Sequence, residues 1–161
     1  SSATNTASAI NRLTNQYLYN IAGKKYAGAV AGTSGSTSSQ MPGGTVGDWI
    51  NQALQVLQQL GYNISTLDPQ AIAIIIQYES SGNPSAINKT DINAQQGNHS
   101  IGLMQITGTN FNQYAAPGHK NIYNPVDNIV AGVRYAIGRY GSVSNVPGVK
   151  DVRSGRAYEP Y

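Results

Sequence analysis

The sequence predicts a mainly α-helical domain, and three observations carry that expectation. Apolar residues recur at spacings of three and four in several segments. Two of those segments open on an Asx-Pro pair, Asp68-Pro69 and Asn124-Pro125, in which the Asx side chain caps the helix and proline fills its first turn. No fixed-period repeat and no convincing β-hairpin interrupts the pattern.

Taken in order, Ile10, Leu13, Tyr17 and Ile21 suggest one amphipathic helix within an N-terminal segment, residues 1–26. The stretch AGAVAGTSGSTSSQMPGGT that follows is rich in Gly, Ser and Thr and carries no charge, the composition of a flexible linker over residues 27–46. The boundary therefore falls near Gly47, with a folded domain over 47–161. Asp48 stands where an N-cap is expected, and Ile50, Ala53, Leu54, Leu57 and Leu60 form a helical stripe that Gly61 ends. Ala71–Ile76 is β-branched and could be a buried strand or a buried helix. Its flanks decide: Asp68-Pro69 opens and Gly82 closes a helix over Pro69–Ser80, apolar on most sides and hence central. A polar loop (Asn83–Ser100), a short apolar stretch (Ile101–Ile106) and a short helix around Asn110–Ala115 come next. Val126, Ile129, Val130, Val133, Ile137 and Tyr140 mark a long helix from Asn124-Pro125 to Gly141. Beyond Gly141 the chain reads as loop.

Composition narrows the function. The 161 residues suit one domain with a real core. Charged residues make up 11%, against roughly 25% in an average domain, and 11 tyrosines supplement the aliphatic residues. The longest apolar run is far below the roughly 18–20 residues of a membrane span, and Ser1-Ser2-Ala3 opens no signal-peptide core, so a soluble chain, already trimmed or not, is expected; a monomer is the expected state. The absence of cysteine excludes a disulfide framework, a Cys-ligated zinc and a Cys nucleophile. A net charge of +3, spread thinly, lacks the basic cluster of a nucleic-acid surface and fits attraction to an anionic cell wall. With the uncharged polar surface, this favours an extracytoplasmic protein, secreted, wall-associated or carried on a phage virion. His99 and His119 share no spacing with a carboxylate that would make a metal site and read as solvated side chains. No phosphate-binding loop and no nucleophile elbow is present, so no cofactor is implied.

The chain has two glutamates, Glu79 and Glu159. Glu79 lies at the C-terminal end of the most apolar helix, where desolvation and the negative end of the helix dipole favour the protonated carboxyl and raise its pKa. Such a group can serve as a general acid near neutral pH. The alternative is an end-of-helix side chain bonded to the following loop.

Three motifs resolve that choice by resemblance. Glu79-Ser80-Ser81-Gly82-Asn83-Pro84 resembles the E-S-x-x-x-P motif of soluble lytic transglycosylases, Gly102-Leu103-Met104-Gln105-Ile106 their G-L-M-Q motif, and Asn128-Ile129-Val130-Ala131-Gly132-Val133-Arg134-Tyr135 their N-I-x-A-G-x-x-Y motif. The three stand in the family's order and cover roughly Asp68–Tyr140. Arg139-Tyr140-Gly141-Ser142 to Val146-Pro147-Gly148-Val149 resembles a variant common in phage tail and actinobacterial wall enzymes. The resemblance implies a lysozyme-like α-helical domain with a cleft for peptidoglycan glycan strands and no cofactor. It implies that Glu79 protonates the glycosidic oxygen between N-acetylmuramic acid and N-acetylglucosamine, then activates the substrate's own 6-hydroxyl to leave a 1,6-anhydro sugar. Most glycosidases use two carboxylates, and a lone glutamate suits transglycosylation better than hydrolysis. A lysozyme-like hydrolase and a non-catalytic glycan-binding module are the alternatives.

The resemblance also implies substrate-binding roles for Ser80, near the carboxylate and the acetamido group, and for Gly102, Met104 and Gln105 along the cleft. In that reading Gly102 lets the sugar approach, Met104 is a soft apolar wall and Gln105 hydrogen-bonds. Taken alone, Ser80 could instead cap its helix, and Met104 could be core. Asn128, Ala131 and Gly132 read as structural. The family's A-Y-N-A-G tyrosine motif is missing. Tyr158, in Ser154-Gly155-Arg156-Ala157-Tyr158, is its nearest analogue, with Tyr161 or a surface role for Tyr158 as alternatives. Asp91 could be a second carboxylate or an Asx-turn residue.

Overall fold

The computed structural model describes residues 43–89 and 97–160. The N-terminal stripe Ile10–Ile21, nearly all of the linker, Asp91 and Tyr161 lie outside the described residues. Five α-helices occur among them: α1 (Val46–Gln59), α2 (Pro69–Ser80), α3 (Gly108–Tyr114), α4 (Pro125–Tyr140) and α5 (Pro147–Arg153). None is long and apolar enough to cross a membrane.

Helix α1 starts one turn earlier than expected. Thr45 is its N-cap, and Asp48 is the third helical residue of a capping box: the Asp48 N–H donates to Thr45 Oγ1 at 3.3 Å, and the Thr45 N–H to Asp48 Oδ2 at 3.0 Å. Helix α2 has the predicted bounds, with Asp68 accepting from the N–H groups of Gln70 and Ala71. Its isoleucine run is helical despite β-branching because every residue from Ala71 to Ile76 is buried, and burial of each such side chain is worth about 1.5–3 kcal/mol, more than helix propensity can oppose. Helix α4 likewise runs as predicted, capped by Asn124.

Helix α1 packs along α4, and α2 against α1 and α5. Ile50, Leu54 and Leu57 of α1 meet Ile72, Ile75 and Ile76 of α2 and Val126, Ile129, Val130 and Val133 of α4 in one core. A smaller cluster, Ile106, Phe111, Ala131 and Tyr135, seats α3 against α4.

Two expectations are corrected. Strands β1 (Ile87–Asn88), β2 (Ser100–Ile101) and β3 (Ile106–Thr107) form an antiparallel sheet in which Ile87 pairs Ile101 and Ile101 pairs Ile106. Two-residue strands are too short to show a period-two pattern in sequence. The chain after Gly141 is not loop: a 3₁₀ turn (Val143–Asn145) leads into α5, whose Val149 is buried in the main core. Asp68 ties this end back, accepting from Arg153 Nη2 at 2.7 Å and Ser144 Oγ at 3.1 Å. Burial pushes the Asp68 carboxyl up, but the Arg153 hydrogen bond and charge, with Ser144 and the Ala71 N–H, outweigh it and hold the group below 3.8.

Candidate active site

Glu79 is the penultimate residue of α2, and the chain leaves that helix sharply. Ser81 takes the left-handed conformation at φ 53°, followed by Gly82 at φ 80°. Ser80 turns its hydroxyl to the backbone: Oγ lies 2.7 Å from the Leu103 carbonyl and 3.1 Å from that of Ile76. Its capping alternative therefore describes the geometry, extended by a bond that joins the first motif to the second.

The second motif is a tight turn between β2 and β3. Gly102 (φ 81°) donates to the Ala86 carbonyl at 2.8 Å. A Cβ at Gly102 would collide with the Asn128 amide, 2.8 Å from its Cγ, and lie 3.1 Å from the Ile122 carbonyl. The close approach that requires glycine is thus that of Asn128, not of a sugar, which corrects the expectation for Gly102. Asn128 is buried; its Oδ1 accepts from the Met104 N–H at 2.9 Å, and its Nδ2 donates to the carbonyls of Ile101 and Ile122 at 3.0 and 2.9 Å. Met104 is also corrected. Its side chain is fully buried in the main core and forms no cleft wall. Gln105 does face the cleft, in a left-handed conformation (φ 51°) held by bonds from its Nε2 to the carbonyls of Ala86 and Gly102, each 3.0 Å.

Tyr158 reaches Glu79 across the domain. Its Oη donates to Glu79 Oε2 at 2.7 Å, and its ring stacks on that of Tyr78, centroids 4.9 Å apart and planes 9° from parallel. The extended segment after α5 can lie this close because Gly148 has no side chain: a Cβ there would overlap the Tyr158 ring and the Glu159 carbonyl.

Glu79 and Gln105 line a cleft of about 330 Å³ together with Asn88, Ser100, Ile106, Thr107, Asn110, Tyr135, Arg139 and Pro160. Glu79 is the one carboxylate among these described lining residues. Sequence reasoning missed Tyr135 and Arg139 as cleft residues. They stand four apart on α4, and Arg139 Nη1 donates to Tyr135 Oη at 2.9 Å, a bond that raises the Arg139 pKa further. Their spacing was the available signal, since i and i+4 share a helix face. No group of three His, Asp or Glu side chains that could hold a metal occurs among the described residues. His119 is not a solvated side chain as expected: its Nδ1 lies 2.8 Å from Oδ1 of the buried Asp127, which also accepts from the Asn121 N–H. His99 Nδ1 lies 3.4 Å from the Asn88 carbonyl.

A chain similarity extends over most of this architecture. A protein of Bacillus subtilis (strain 168), YqbO, described as uncharacterized, is 38% identical over 144 residues, covering 86% of this chain. The chain spans only 8% of that relative's length. No solved structure matches it. The family model described as the transglycosylase SLT domain matches residues 59–158, which include Glu79, the turn at Gly102–Gln105, helix α4 and Tyr158. The chain therefore belongs to the SLT transglycosylase domain family.

Proposed function

We propose that the chain cleaves the β-1,4 bond between N-acetylmuramic acid and N-acetylglucosamine in peptidoglycan, with Glu79 as the sole acid and base and a 1,6-anhydromuramic end as product. The observation that carries this reading is the Tyr158–Glu79 hydrogen bond in a cleft whose described lining residues include a single carboxylate.

With Oε2 held by the phenol, the carboxyl is oriented before substrate arrives. In the first step Glu79 gives its proton to the glycosidic oxygen. The C1–O4 bond breaks and the substrate's N-acetyl oxygen bonds to C1. In the second, the glutamate, now a carboxylate, takes the proton of the 6-hydroxyl. O6 bonds to C1 as the acetamide leaves, and the catalyst returns to its protonated form. No water enters, so a second carboxylate to activate one is not needed. General acid–base assistance of this kind contributes typically about 10²–10⁴-fold. The substrate places the site of action outside the cytoplasmic membrane, in the wall.

Digestion of purified sacculi followed by mass spectrometry tests the reaction. Anhydro-muropeptides, lacking the elements of one water, are the expected product. Reducing ends would identify a hydrolase of the same bond, and no release a binding module. Glu79→Gln keeps shape and the capacity to accept from Tyr158 but cannot deliver a proton. It should fold normally and lose at least about 10²-fold in rate; near-normal digestion by that variant would refute the assignment.

A further inference from the structure

Glu79 and Arg139 are the two charged side chains among the described residues lining the cleft. Arg139 is exposed to the cleft mouth, on the last turn of α4. It has no carboxylate within ion-pair distance among the described residues; the pairs formed there are His119–Asp127, Arg153–Asp68 and Arg156–Asp151. Its guanidinium is nevertheless held. One donor, on Nη1, is used on Tyr135 Oη, and Cζ lies 5.4 Å from the centre of the Tyr140 ring. The edge formed by Nε and Nη2 makes no hydrogen bond to a described residue. A guanidinium fixed on one edge and one face, with its remaining fork open to solvent in a binding cleft, is preorganised for a planar anion, and a carboxylate matches its two parallel N–H groups.

We propose that Arg139 forms a subsite for a carboxylate of the stem peptide, which peptidoglycan carries on the lactyl arm of its muramic acid. This rests on the peptidoglycan reading of the cleft and goes beyond it: the protein distinguishes peptide-bearing glycan from bare glycan, and does so through Arg139 rather than through the acid/base residue. An exposed arginine is hydrated, so the discrimination is modest. It is expressed in affinity, because the stem peptide does not change charge during glycosidic cleavage and is bound equally in the ground and transition states.

The experiment uses the full chain with Glu79→Gln, which stops turnover, and titrates three glycans by calorimetry. Chitohexaose has no carboxylate, strands freed of peptide by an amidase carry the lactyl carboxylate that cleavage of the amide exposes, and peptide-bearing strand fragments, whose lactyl carboxyl is consumed in that amide, carry only the carboxylates of the peptide. Arg139→Gln should weaken binding of the peptide-bearing fragments about 10-fold and leave chitohexaose unchanged, with Arg139→Lys in between because it keeps the charge and loses the fork. An equal loss on chitohexaose, or no loss on the peptide-bearing fragments, overturns the subsite. A loss on the peptide-free strands as large as that on the peptide-bearing ones overturns discrimination in favour of the stem peptide, because Arg139 then takes any carboxylate that the lactyl arm presents. Failure of the enzymatic reading looks different: wild-type protein would release no muropeptide while the Arg139-dependent affinity ratio persisted. Absence of binding to all three glycans removes both.

Discussion

Gly148 to Ala, a single added methyl group, separates the orientation of Glu79 from the stability of the domain. The new Cβ would lie 2.6 Å from Tyr158 Cδ1 and overlap Cε1 and the Glu159 carbonyl. Non-bonded carbons rest at about 3.5–4.0 Å, so the ring must retreat by about 1 Å. A retreat of that size along the bond would lengthen the 2.7 Å contact between Tyr158 Oη and Glu79 Oε2 to about 3.7 Å, beyond hydrogen-bonding range. Gly148 sits in α5, where alanine in place of glycine favours the helix by up to about 1 kcal/mol and offsets part of the steric cost. The expected outcome is a melting temperature within a few degrees of wild type and a fall in kcat of about 10–100-fold, or about 1.4–2.7 kcal/mol in the barrier. Initial rates of muropeptide release from sacculi, read by chromatography alongside thermal melts, measure both. Tyr158→Phe removes only the hydroxyl and should lose a similar factor. The double variant should then be little worse than either single one, because both act on one bond. A Gly148→Ala protein with wild-type kcat, or losses that multiply in the double variant, would refute the idea that this phenol orients the carboxyl.

Three further outcomes follow from the same geometry. Removing residues 1–42 should leave turnover intact, whereas removing 1–46 deletes the Thr45 cap of α1 and should cost about 1 kcal/mol in urea denaturation; a 1–42 deletion that fails to fold would place the N-terminal stripe in the core. Asn128→Ala strands the Met104 N–H and two carbonyls and should destabilise by about 3 kcal/mol or more, with an unchanged m-value; a loss below about 1 kcal/mol would show that water replaces the amide. Asp68→Asn keeps the helix cap but loses the Arg153 ion pair. Because the folded carboxyl is held below 3.8, the ionised group stabilises the fold above that pH, and its contribution disappears as pH falls through the lowered folded value. The wild type should therefore exceed the variant by about 0.5–1 kcal/mol near pH 6 and converge on it in acid; a constant gap would contradict the assignment.

The helices were legible where their signals are local. Asp68-Pro69 and Asn124-Pro125 each combine a side-chain acceptor with a preset φ, so both starts read directly from four or five residues. Thr45 and Asp48 are both good caps, and only the reciprocal bonds of the capping box show which of them stands outside the helix. Helix α5 was hidden because Pro147-Gly148 reads as a turn, although that same glycine is what admits Tyr158. The Tyr158 contact was reachable from the resemblance and the flanking glycines. The roles of Gly102 and Met104 were not, because a motif records which residues recur, not whether the atom beside them is a sugar or an asparagine. His119 and Asp127 meet through a loop fold that no helical or strand period encodes.

The bracket formed by Asn128 and Gly102 has a consequence for how such chains diverge. Aspartate at 128 would lack the two donors that Ile101 and Ile122 require, glutamine would be a methylene too long, and any side chain at 102 would occupy the space the amide fills. Neither position can drift alone. A lineage that abandons the asparagine must rebuild the turn that carries Gln105, and the glycine then loses one of its two constraints, the other being its left-handed φ of 81°. The two sites should change together or not at all, and their joint state in any related chain reports whether this wall of the cleft is built the same way.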